Sequence, residues 1–160
     1  MRRKDKQIKD INEIINIIKK CDVCNLAFFD KEYPYIIPLN FGFKYDFKNK
    51  ELFLYFHGSN IGKKIELIND NNKVAFEMYC STKLIIKENP CKSTTEFESV
   101  AGNGIIEILN HNDKITGLKH IMNKYSDVNY TFLDFDESIL KNTTVLKLKI
   151  NSINGKSFKT

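Results

Sequence analysis

Leu52-Phe53-Leu54-Tyr55-Phe56-His57-Gly58-Ser59-Asn60-Ile61-Gly62-Lys63-Lys64 changes character twice. Period-two alternation makes its first half a strand, with Leu52, Leu54 and Phe56 on one face and Phe53, Tyr55 and His57 on the other. Small residues then turn the chain. Residues 60–67 read as a short helix with Ile61, Ile65 and Ile68 on one side and Lys63 and Lys64 in its opening turns. A strand that runs through a small-residue turn into a helix start presents free backbone N–H groups and the positive end of a helix dipole. Adjacent ammonium groups add charge-assisted hydrogen bonds, so the stretch suits a phosphate. It is not a P-loop, because three residues separate Gly58 from Gly62 and Lys64 stands where Ser or Thr would hold magnesium. The same residues also fit a solvated helix start with exposed lysines.

Outward from this stretch the chain is mostly strands. Short apolar runs bounded by Asp, Lys, Asn or Pro occupy residues 23–29, 35–43 and 51–56, with turns at 30–32 and 48–50. Further strands fit 73–79, 83–87, 97–109 and 145–153, and a polar loop fits 88–95. Glycines inside the sixth of these, at Gly102 and Gly104, suggest a bulge or a close backbone approach. Ile8, Ile11, Ile15 and Ile18 recur at helical spacing, predicting an amphipathic helix over 4–20, and Ile115, Leu118, Ile121 and Met122 predict another over 112–125. Residues 126–142 read as acidic and irregular. Helices inserted between mostly antiparallel strands favour a mainly β (α+β) closed barrel or sandwich over a doubly wound sheet.

A chain of 160 residues, 42% hydrophobic, is expected to form one domain over 1–160 without disulfide or metal. Met1 to Lys6 is charged and lacks a signal-peptide core, and no apolar run is long enough to cross a bilayer. A cytoplasmic protein with Cys21, Cys24, Cys80 and Cys91 reduced is the expectation. The net charge of +5 favours anionic partners, phosphorylated cofactors and nucleic acid alike.

His57, at a strand end beside the phosphate turn, is either structural or functional. His111 and His120 have no carboxylate or histidine at helical spacing, which gives a zinc hydrolase little support. Cys21-Asp-Val-Cys24 lacks a second close cysteine pair and reads as ordinary thiols. Gly102-Asn103-Gly104 lacks the third glycine of a dinucleotide loop, and no nucleophile elbow or paired carboxylates stand out.

Pro34 to Gly42, Leu54 to Ser59, Gly62-Lys63-Lys64 and Glu98 to Gly104, in this order, resemble the pyridoxamine 5'-phosphate oxidase-like split barrels. The branch they are most similar to is the nitroimidazole-resistance reductases, and the likeness runs from Arg2 to Lys156. The resemblance implies a six-stranded Greek-key split β-barrel with flanking helices, a homodimer, and two FMN sites at the subunit interface. It implies that Lys63 and Lys64 grip the FMN phosphate and that Tyr35, Ile36, Ile37, Pro38, Leu39 and Asn40 run beside the flavin and ribityl chain. Phe56 and His57 are implied as a second flavin-contacting pair, with Ser99 near the ring and His57 as the catalytic candidate. Residues 35–40 lack the arginine and lysine of the true oxidases, so oxidation of a B6 vitamer is not implied. The expectation is an FMN-dependent oxidoreductase acting on a small electron-poor substrate such as a nitroimidazole. A flavin or haem carrier or sensor without turnover, and a basic barrel binding single-stranded nucleic acid, are the rivals.

Overall fold

Alternating apolar residues build a barrel whose interior is filled by one side of every strand. The computed structural model describes residues 3–128, 130 and 135–159. Strands β2 (Val23–Phe28), β3 (Tyr35–Asp46), β4 (Glu51–Ser59), β5 (Lys73–Ile85), β6 (Thr94–Ile108) and β7 (Thr143–Phe158) pair antiparallel in the order β7-β4-β3-β2-β5-β6, and β6 returns to β7. The result is a closed six-stranded antiparallel barrel, to which β1 (Gln7–Ile8) adds along β7. Leu26, Phe28, Phe41, Leu54, Phe56, Phe76, Met78, Val100, Ile106 and Leu148 fill it. The barrel is split along β3, whose residues from Tyr35 to Asn40 pair with β2 and from Phe41 to Asp46 with β4. Beyond Phe56, the residues His57, Gly58 and Ser59 of β4 pair only with β7.

Helices close the ends and one side. Helix α1 (Ile11–Lys20) buries Ile14, Ile17 and Ile18 in the barrel core, and α2 (Lys63–Asp70) adds Ile68. Helix α3 (His111–Tyr125) packs outside β3 and β4, where Tyr55, Leu109, Ile121 and Val145 form a second apolar cluster. Gly42 lets the α3 backbone reach the sheet, since a Cβ there would strike the His120 carbonyl and the Ile121 nitrogen. Tyr125 stitches the split: its hydroxyl accepts the Phe41 N–H at 3.0 Å and donates to the Asp22 carbonyl at 2.7 Å. No helix among the described residues is long and apolar enough to cross a membrane.

Several boundaries differ from the sequence expectation, each for a local reason. The first helix starts at Ile11, not residue 4, because the Asp10 carboxylate caps the Asn12 and Glu13 N–H groups, while Lys4–Lys6 forms a 3-10 turn. The strands expected at 73–79 and 83–87 are one strand with a bulge between Cys80 and Lys83, where Ser81 has φ 55°. Within 126–142, Asp136 caps a further helix, α4 (Glu137–Asn142). Residues 129 and 131–134 of that stretch, Arg2, and the His111 side chain lie outside the described residues. The helix expected over 60–67 begins at Lys63, which moves both lysines into its first turn.

Candidate phosphate and flavin site

Gly62 sets the geometry. Its φ of 109° belongs to the left-handed half of the backbone map, and it precedes α2 without a side-chain cap. Its carbonyl accepts from Ile65 at 2.9 Å and from Glu66 at 3.4 Å. The N–H groups of Lys63 and Lys64 come too early in the helix for intrahelical acceptors and have no cap to satisfy them. Two donors at the positive end of α2 therefore open outward from its first turn.

The two lysines behave differently. Lys63 is exposed, reaches across to an ion pair with Asp30 at the end of β2, and sits 5.4 Å above the Tyr35 ring. That ammonium holds the Asp30 carboxyl below the usual carboxylate range. Lys64 is 9% exposed, and burial alone pushes its ammonium below the usual lysine range. Its Nζ occupies the space a side chain at residue 58 would fill, so Gly58 is the residue that admits it. No protein acceptor reaches that nitrogen among the described residues, whereas Lys20, Lys114, Lys124 and Lys149 all donate hydrogen bonds. A nearly buried cation without a protein acceptor, beside two open N–H groups, is chemically a place for an anion.

His57 lies next to Gly58, exposed on the outer face that also carries Phe53 and Tyr55. Partial desolvation of the ring first, and then the charge of Lys64, lower its pKa and favour the neutral imidazole. Phe56 points the other way, with no exposure, into the barrel core. Any contact it makes with a ligand falls to its backbone, and its packing fixes the direction of His57. In β3, Tyr35, Ile37 and Leu39 pack against the core while Ile36, Pro38 and Asn40 face outward. Tyr35 and Ile36 lie at the Lys63 end. Asn40 lies at the far end, donating to the Asp22 carbonyl at 3.1 Å. Ser99 is on β6, opposite Tyr79 and Lys156, and one chain does not bring it beside Lys63, Lys64 and His57.

Asp30 is the partner that sequence reasoning missed, since nothing in the chain order links it to Lys63. Together with Lys31, Tyr33, Lys63 and Glu66 it lines an open cavity of about 580 Å³ beside the first turn of α2.

The comparisons with known proteins agree with the fold. The sequence profile of the pyridoxamine 5'-phosphate oxidase family matches residues 10–157. No curated protein sequence is similar to the chain. Among solved structures it is similar to a candidate 5-nitroimidazole antibiotic resistance protein from Bacteroides thetaiotaomicron VPI-5482, at 28% identity over 94% of this chain and 85% of that one, with a TM-score of 0.78. The flavocytochrome Anf3 from Azotobacter vinelandii shares the fold at 16% identity, covering 100% and 72% of the two chains with a TM-score of 0.83. An FAD and haem binding protein from Mycobacterium smegmatis does so at 16%, covering 97% and 74%, with a TM-score of 0.82. With the closed split barrel and a profile match over nearly its full length, this chain belongs to the pyridoxamine 5'-phosphate oxidase family.

Proposed function

We propose that the chain binds FMN as a homodimer and acts as a flavin-dependent oxidoreductase on a small electron-poor substrate such as a nitroimidazole. The observation that carries this reading is Lys64, a nearly buried residue whose ammonium has no protein acceptor among the described residues, beside the uncapped start of α2. A phosphate satisfies it together with the Lys63 and Lys64 N–H groups. Lys63 leaves or shares Asp30 to add its charge, and Tyr35 and the outward Ile36 present an apolar wall next to the anchor. When bound, FMN supplies two-electron transfer to the acceptor. The chain holds the phosphate, screens the ring from water, and offers His57 as the group that orients substrate or moves a proton at its imidazole.

Similarity to the Bacteroides candidate resistance protein supports the substrate class, and flavin binding by the two larger relatives supports the cofactor class. A dimer is supported by the outer barrel face that the helices leave uncovered. There Ile36 is 60% and Phe29 64% exposed, and Ala27, Phe29, Pro34 and Ala75 line a small apolar cavity of about 170 Å³. A second copy there can bring Ser99 toward a site that one chain leaves open.

The test is anaerobic. Protein carrying reduced FMN is mixed with a nitroimidazole and reoxidation is followed by the flavin absorbance, with mass measured by light scattering. Saturable reoxidation by a dimer supports the proposal. A flavin-loaded monomer, or a reduced flavin that the nitroimidazole does not reoxidise, contradicts it.

A further inference from the structure

Cys21 ends α1, and Cys80 lies far along the chain where β5 enters its bulge. Both converge on one carbonyl: Ile17 O accepts the Cys21 N–H at 3.2 Å and the Cys80 thiol at 4.0 Å. Cys80 also packs against the buried cluster to which Ile17 and Cys21 belong. The Ser81 hydroxyl also donates to the Cys80 sulfur at 3.7 Å, from its φ of 55° in the bulge. Cys21 is buried, whereas Cys80 is partly open and lines a cavity of about 500 Å³ with Lys20, Tyr79 and Ser81. Cys24, the other half of the CxxC motif, is instead fully buried in β2 within the barrel core.

We propose that Cys80 and Cys21 form a redox-active dithiol oxidised by hydrogen peroxide, Cys80 being the thiol reached through the cavity and Cys21 the resolving thiol. The Cys80 sulfur attacks one peroxide oxygen and the O–O bond breaks. One oxygen stays as a sulfenic acid, and the thiol proton leaves with the other as water. The Cys21 sulfur then attacks the Cys80 sulfur, the S–O bond breaks, and hydroxide leaves with the Cys21 proton as a second water. Two thiols lose two electrons in total and the peroxide is reduced to water. Burial, with Cys80 and Glu77 adding to it, pushes the Cys21 thiol up to about 12, while Lys124 and Lys20 favour its thiolate. The pair lies at the opposite end of β2 from Asp30 and Lys63, so it stands independently of the flavin reading.

The test uses the full-length protein with the exposed Cys91 changed to Ser, treated with equimolar hydrogen peroxide and mapped by peptide mass spectrometry. The expected product is an intramolecular Cys21–Cys80 peptide pair, lighter by two hydrogens and restored by dithiothreitol. Adding Cys24→Ala leaves the bridge in place. Adding Cys21→Ser abolishes it and lets dimedone trap a sulfenic acid at Cys80. A Cys21–Cys24 bridge, or Cys80 carried to sulfinic acid with Cys21 still free, or unreacted thiols, overturns the assignment.

Discussion

Lys64→Met should move flavin-free stability and FMN affinity in opposite directions. Methionine keeps the length and apolar stem of the side chain, so packing under Gly58 is preserved and only the ammonium goes. In the flavin-free protein that ammonium is partly desolvated and has no protein acceptor among the described residues. Removing it should raise stability by about 1 kcal/mol, which for a chain of this size is a midpoint shift of about 2–4 °C. The folded pKa of Lys64 lies below its unfolded value, so the unfolded chain binds the extra proton and wild-type stability rises with pH across that interval. The gain from Lys64→Met is therefore full at neutral pH and disappears above the unfolded value near 10.5. Affinity should fall instead. Losing one charge-assisted hydrogen bond of roughly 1.5–3 kcal/mol weakens FMN roughly 10- to 150-fold and leaves riboflavin unchanged. The assays are thermal unfolding of flavin-free protein from neutral pH to above 10.5 and fluorescence titration with both flavins. A less stable variant with unchanged FMN affinity would refute the reasoning, because Lys64 would then be a structural lysine.

His57→Ala should retain FMN but slow reoxidation by a nitroimidazole about 100-fold if the imidazole donates a proton. Because the His57 pKa is lowered, its acid form grows only as pH falls below 6.5, so wild-type rates should rise there while the variant's stay flat in stopped-flow traces. Glu98 is buried, pairs with Lys20 at 2.7 Å and Lys159 at 3.3 Å, and has a lowered pKa. Glu98→Gln should cost about 1–3 kcal/mol at neutral pH in urea unfolding, and the difference from wild type should fade as pH falls below 4.5 toward the folded pKa. Gly42→Ala should destabilise by about 3 kcal/mol or more in the same assay, because the new methyl meets α3 backbone and not a movable side chain.

The barrel was legible because its code is local. Alternation in Leu52 to His57 correctly separated Leu54 and Phe56, in the core, from Phe53 and Tyr55, which pack under α3. The start of α1 was not legible, because Ile8 fits a helical stripe as well as a strand; the Asp10 cap decides between them. At the site, the turn and the two lysines were visible as a pattern. Their division of labour was not, since the Lys63–Asp30 pair and the burial of Lys64 arise from the packing of α2 against the β2–β3 end of the barrel. Boundary placement mattered here: moving the helix start to Lys63 is what frees its first N–H groups. Ser99 stands apart for a different reason, as a β6 position opposite Tyr79 and Lys156 and away from α2.

The central claim is that the start of α2 binds the phosphate of a flavin. Calorimetric titration of flavin-free protein with FMN and with riboflavin, at low salt and then with added inorganic phosphate, tests it most directly. The account predicts that FMN binds at least about tenfold more tightly, that inorganic phosphate competes with FMN, and that riboflavin is indifferent to it. Equal affinities for the two flavins, or FMN binding that phosphate does not weaken, would contradict it.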